Sequence, residues 1–149
     1  AMIIVFALVL FVAERLNHQQ RSLGSSGWKD ALSIGGAQAI SLIPGVSRSG
    51  VTISAGLLRG FSREQAARFS FLISTPAILG AALLKMTEAL SEGVSAQDAR
   101  IMVAGALAAT VFSWLSIGFL LRLLQTRSFL PFISYRAVAG VFVLVYFSL

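Results

Sequence analysis

Between Leu42 and Gly50 the chain reads LIPGVSRSG, and the residue types there suit one task, the holding of an anion. Pro44 ends a helix, because its ring lacks an N–H and clashes with the preceding turn. Gly45 and Gly50 permit a sharp turn and a close approach of ligand to backbone. A helix restarting after that turn directs its first amides and the positive end of its dipole outward, which makes a phosphate site. The backbone of Gly45, Val46 and Gly50 and the hydroxyls of Ser47, Ser49 and Thr52 form the expected cradle. Arg48 adds a planar, permanently charged fork that matches phosphoryl oxygens. The competing reading assigns Ser49 or Thr52 to capping the second helix and Arg48 to a structural ion pair or to snorkelling.

The surroundings of this segment are apolar. Of 149 residues, 56% are hydrophobic and 12% charged, against about 25% charged in soluble domains, so the composition is that of a membrane protein. There is no cysteine, and the lone histidine, His18, lies in a polar stretch, which excludes thiolate and histidine-cluster metal sites within this sequence. The net charge of +6 comes with no basic run interleaved with aromatics; the arginines gather at the ends of apolar segments, and nucleic acid is not expected as a partner.

These segments predict an all-α integral membrane bundle over residues 1–149. Residues 1–16, apolar from Ala1 with no basic leader, read as the end of a transmembrane helix already under way and as part of something longer. The run NHQQRSLGSSG is an aqueous connector, and Trp28 with Lys29 marks re-entry at an interface. Residues 28–60 hold two apolar pieces, each too short to cross, broken at the tip 44–50. Residues 62–89 are expected to span, with Ser62 as N-cap and Pro76 as a kink. Met86 to Gln97 reads as a short acidic loop. Residues 97–125 and 131–149 complete the transmembrane set, Pro131 suiting a first helical turn.

Charge orients the pieces. The connectors around Arg15, Arg21 and Lys29 and around Arg122 and Arg127 carry more lysine and arginine than the one from Lys85 to Arg100, and are expected on the cytoplasmic side. For Arg59, Arg63 and Arg68 to join them, residues 28–60 must enter and leave by one face, as a re-entrant helix-loop-helix. Irregular backbone at membrane depth survives only when buried in protein or facing a wet cavity, so the tip should line a cavity. There an intramembrane arginine reads first as a functional residue. Arg136, about one turn inside the last span, either points into the same cavity or snorkels to the interface. Gln38 is either polar glue between helices or a ligand contact. Every carboxylate lies in a connector or at a span end, so the sequence holds no metal site and only half of a catalytic one.

The segment AQAISLIPGVSRSGVTISAGLLRG at 37–60, with AERL at 13–16, FSREQAARFSFL at 61–72 and FLPFISYR at 129–136, resembles the C-terminal half of undecaprenyl-diphosphate phosphatases of the bacitracin-resistance type. The resemblance implies one half of an inverted-repeat, transporter-like architecture in the bacterial inner membrane, multi-pass, whose two re-entrant tips meet at mid-membrane. It implies hydrolysis of undecaprenyl diphosphate to undecaprenyl phosphate, which recycles the lipid carrier for cell-wall synthesis. Arg48 and Ser47 are then the catalytic residues, and Gly45, Val46, Ser49, Gly50 and Thr52 bind the diphosphate. The same resemblance implies a divalent cation, Mg or Ca, with ligands in the N-terminal repeat, and allows a homodimer. The glutamates and histidine of that repeat have no counterpart here, so the isolated 149 residues are expected to be inactive. The alternative is a lipid or ion transporter that uses the broken-helix anion site, since half-helix N-termini at mid-membrane are also transporter features.

Overall fold

A computed structural model describes residues 2–18 and 21–148. Ala1, Gln19, Gln20 and Leu149, which belong to the expected first helix, the connector and the last span, lie outside the described residues. Every regular element among those described is helical: α1 (Met2–Leu16), a 3-10 turn (Leu23–Ser25), α2 (Trp28–Ile40), α3 (Arg48–Leu58), α4 (Arg63–Glu92), α5 (Ala96–Thr126) and α6 (Leu130–Ser148).

Local chemistry accounts for most of the boundaries. The hydroxyls of Ser47, Ser62 and Ser95 accept the N–H of Gly50, Gln65 and Asp98 at 3.2, 3.4 and 3.1 Å, which caps α3, α4 and α5. At the start of α2 the Asp30 carboxylate reaches back to the Gly27 N–H at 3.0 Å. Pro76 lies within α4, and the helix continues past it. It also continues through Met86 to Glu92, where the sequence suggested a loop. The reason is local: MTEALSE is rich in helix formers, and Lys85 pairs with Glu88 at 2.5 Å one turn on. The helix ends only at Gly93, with φ 85°.

α3 is the central helix. It packs against α1, α2 and α4, while α6 lies on α1 and α5 leans chiefly on α4. The core runs through Ala7, Leu10 and Ala13 of α1, Ile34 of α2, Ile53 and Leu57 of α3, and Ala66 and Ala67 of α4, with Phe61 wholly buried at the α3–α4 turn. Small residues set the spacing, since a Cβ on Gly56 would stand 3.0 Å from that of Ala66. Hydroxyls add polar contacts: Thr52 Oγ1 lies 2.5 Å from Ser70 Oγ, and Ser54 and Ser74 donate to the carbonyls of Gly50 and Ser70 at 2.7 and 2.8 Å. Two helices, α4 and α5, are long and apolar enough to cross a membrane, and α5 exposes Phe112, Trp114 and Phe119 along its length. This is a helical membrane protein, whose outer helices present apolar surface because lipid rather than water is their solvent.

A polar clasp closes the end of the α2–α3 pair away from the tip. Buried Asp30 receives Arg21 Nη1 and Nη2 at 3.1 and 2.8 Å and Arg59 Nε at 2.7 Å. Arg21 Nη1 also donates to the Arg59 carbonyl at 2.9 Å, and the guanidinium lies 4.8 Å over the Phe61 ring. The Arg21 backbone completes the tie, donating to Gly60 O at 3.0 Å and accepting from Ser62 N at 3.1 Å. The start of α2, the end of α3 and the start of α4 are thereby held together.

Candidate functional site

Residues 41–47 break the helix as their composition demands. Gly45 turns with φ 87°, a value L side chains rarely adopt, and the Val46 N–H donates to Ile43 O at 3.1 Å. Gly45 and Val46 build the turn. Ser47 is the cap of α3, a role the competing sequence reading gave to Ser49 or Thr52. The N–H groups of Arg48 and Ser49 are left at the open end of the helix.

A cavity of about 380 Å³ lies against that end. Ser47, Ser49, Gly50 and Arg136 form its polar mouth, and Leu10, Ile53, Phe71, Leu120, Phe129 and Phe132 form apolar walls drawn from α1, α3, α4, α5 and α6. Arg136 is half-buried and lines this cavity with Ser47, Ser49 and Gly50 of the tip, though not with Arg48. Its Nη1 stands 2.9 Å from where a Gly50 Cβ would be, so the guanidinium rests over the first turn of α3 only because residue 50 has no side chain. Among the described residues, neither Arg48 nor Arg136 has an ion-pair partner, whereas Arg21, Arg59, Arg63 and Arg68 do. Gly50→Ala should push the Arg136 guanidinium aside, because that atom ends a flexible side chain, while Ser47 Cβ and Oγ, each 3.3 Å from the added methyl, give by a few tenths of an ångström. The expected result is roughly tenfold weaker anion binding with an unchanged unfolding temperature, measured by titration and thermal melting.

The expected cradle is divided by the geometry. Ser49, Gly50 and Ile53 share one face of α3 and line this cavity, while Arg48, about 100° round the helix, lines a second one with Gln38, Gly35, Ser41, Leu42 and Ala77. Thr52 faces neither cavity. Its side chain is fully buried and its hydroxyl is engaged by Ser70 and by the Arg48 carbonyl at 2.9 Å, so it serves the α3–α4 contact. Gln38 donates to Ile73 O at a long 3.5 Å, while its Oε1 is buried with no partner among the described residues.

Glu14 is a contributor that spacing did not reveal. Its carboxylate, 8% exposed, accepts Arg63 Nε at 2.5 Å and the Phe129 N–H at 3.0 Å, and so anchors the Phe129 wall of the larger cavity to α1 and α4. Among the described residues no group of three or more His, Asp or Glu could hold a metal ion. Glu14 and Asp30 are already committed to guanidinium and amide donors.

The sequence matches, over residues 1–142, the family model described as bacitracin resistance protein BacA. It is 43% identical over 146 residues to an undecaprenyl-diphosphatase of Geotalea daltonii, covering 98% of this chain and 54% of that protein. It is 46% identical over 147 residues to one of Thermomicrobium roseum, covering 99% and 53% respectively. With one of Synechococcus sp. (strain RCC307) it shares 49% identity over 141 residues, 95% of this chain and 49% of that protein. The chain thus spans about half the length of the curated relatives it matches.

Proposed function

This chain belongs to the bacitracin resistance protein BacA family, and on that premise we propose that it supplies the anion-binding half of a site that hydrolyses undecaprenyl diphosphate to undecaprenyl phosphate and inorganic phosphate. One observation carries the reading: a helix end flanked by serines and an unpaired arginine forms the polar mouth of a cavity whose other walls are aliphatic and aromatic. A polyprenyl diphosphate divides in the same way, with its charge at one end and isoprenoid units at the other.

In this reading the diphosphate sits across the open end of α3. Water attacks the terminal phosphorus, the bridging P–O bond breaks, and the lipid phosphate leaves with that bond's electron pair. Charge spreads over the equatorial oxygens during transfer, so catalysis by these residues is positioning and electrostatic stabilisation. Arg136 and Arg48 hold the phosphoryl groups from two sides, the Ser47 and Ser49 hydroxyls donate to their oxygens, and the Gly50 backbone allows close approach. The divalent cation implied by the resemblance does not fit the described residues, whose nearest carboxylates are occupied by arginines. Its ligands, and the group that activates water, belong to the other repeat.

The same reading makes α2 and α3 a re-entrant hairpin and the chain one of two inverted repeats in a bacterial plasma membrane. The Asp30–Arg59 pair supports it, because it joins the entrance of α2 to the exit of α3. Arg15, Arg21, Arg63, Arg122 and Arg127 lie at helix ends or connectors that alternate to that same side, which favours a cytoplasmic base. The test is reconstitution of the full native polypeptide in liposomes loaded with undecaprenyl diphosphate. Release of inorganic phosphate is expected; lipid movement across the bilayer with no phosphate released would select the transporter reading instead.

A further inference from the structure

We propose that the isoprenoid chain of a polyprenyl diphosphate leaves the tip cavity between Phe71 and Leu120 and lies along a groove on α5, which selects for a long chain. The proposal rests on the phosphatase reading for the identity of the lipid, and on the shape of the molecule for its path. The tip cavity, about 380 Å³, holds about a dozen waters at liquid density, and its mouth must also take the phosphoryl groups. An undecaprenyl chain is far larger and has to continue outside it. Two residues of that cavity, Phe71 of α4 and Leu120 of α5, also line a second cavity of about 380 Å³, so the two adjoin across this pair. The cavity beside Arg48 shares no lining residue with the first.

The second cavity is a groove along one helix face. Its α5 residues stand at positions 109, 112, 113, 116, 117 and 120, which at about 100° per residue fall within an arc of about 140°. Phe112 and Ile117 come at the two edges of that arc and form rims. Ala109, Ser113 and Ser116 lie between them, and their small side chains keep the floor low. From Leu120 to Ala109 the groove follows about 16 Å of helix axis. It is open along its side, with Phe112 69% exposed, so a chain can enter laterally from the bilayer. Lipid tails are as apolar as the groove, and what it adds is therefore van der Waals fit and direction rather than a hydrophobic gain.

The experiment has a catalytic arm and a labelling arm, both on the full native polypeptide in mixed micelles. In the first, kcat/KM is compared for undecaprenyl diphosphate and for geranyl diphosphate, whose two isoprenoid units end within the tip cavity. Ser116→Phe puts a ring on the groove floor and should cut the long-to-short ratio about tenfold, the range expected of apolar shape discrimination. Ser113→Phe, one turn away, should do the same, and it serves if the first variant fails to fold. Val111→Phe adds the same ring on the opposite face of α5 and should leave the ratio at the native value. In the second arm, a polyprenyl diphosphate with a photoactivatable diazirine beyond its second isoprenoid unit should label Phe112, Ser113 and Ser116 but not Val111. Excess unlabelled undecaprenyl diphosphate should suppress that labelling. A native ratio in both groove variants, or labelling that falls equally on Val111 or resists competition, would overturn the proposal. Labelling confined to polypeptide beyond these 149 residues would mean that another segment fills the groove, and would overturn it too. Labelling needs no turnover, so a protein that hydrolyses neither substrate fails the phosphatase reading separately.

Discussion

Arg48→Ala in the full native polypeptide is expected to lower phosphate release from undecaprenyl diphosphate about a thousandfold, and Arg136→Ala to do nearly the same. Arg136 lines the cavity at the open end of α3 and Arg48 lines the neighbouring one, each without an ion-pair partner among the described residues, and in the proposed reading both meet a diphosphate laid across that helix end. Lysine should restore only part of either loss, because a point charge cannot replace a two-pronged donor. The double variant should lose far less than the product of the two single effects, since groups that act as one unit are not additive. Initial rates of phosphate release in mixed micelles measure all of this. Near-normal turnover by either alanine variant would remove that arginine from the site, and near-normal turnover by both would sink the proposed half-site.

Asp30→Asn carries the second large expectation, and it concerns the clasp rather than the cavity. Removing the charge leaves Arg21 and Arg59 around a neutral amide, and we expect a loss of roughly 1–2 kcal/mol in stability, since charge-assisted hydrogen bonds to buried Asp30 are lost while the two arginines, 34% and 40% exposed, regain water. Thermal unfolding in detergent measures the loss; a double cycle with Arg59→Gln should recover a coupling of about 1 kcal/mol or more. Additive single effects would mean that the pair does not tie α2 to α3. The pH dependence has a definite sign. Hydrogen bonds from Arg21, first, and then from the Gly27 N–H hold the Asp30 carboxyl well below the usual carboxylate range, against the opposing effect of burial. A depressed carboxyl contributes fully above its unfolded pKa and loses that contribution as pH falls through the folded one. The native clasp should therefore be indifferent to pH from about 5 to 8 and weaken only in strong acid.

The helices themselves were largely legible because their causes are local. Ser62 marks a start, Pro44 and Gly45 mark a break, and the long apolar runs of α4 and α5 mark lengths sufficient for a bilayer, whereas the Ser95 cap of α5 lies in the stretch that reads as a loop. That Met86 to Glu92 is helical where the sequence suggests a loop has an equally local cause: polarity resembles irregularity, although an amphipathic helix end carries the same residues. The signal that would have divided the cradle was also present. Positions 49, 50 and 53 lie within a 100° arc of the helix and 48 lies a further 100° beyond it, a spacing that lets Arg48 turn to a different cavity from the other three.

By itself, then, the sequence determined the solvent and the break, and it holds the residues on which the proposed anion chemistry rests. Apolar composition demands lipid around most helices, and Pro44 and Gly45 demand a turn. Only the tertiary structure decided which distant groups meet: Arg136 over Gly50, Gln38 with Arg48 on one cavity, Ser70 on Thr52, Glu14 on the Phe129 N–H and Asp30 between two arginines. Helical spacing sets the direction in which a side chain leaves its own axis. Which neighbour stands there depends on how closely Gly56 lets α4 approach α3 and how α6 lies on α1, and those are properties of packing between segments far apart in the chain.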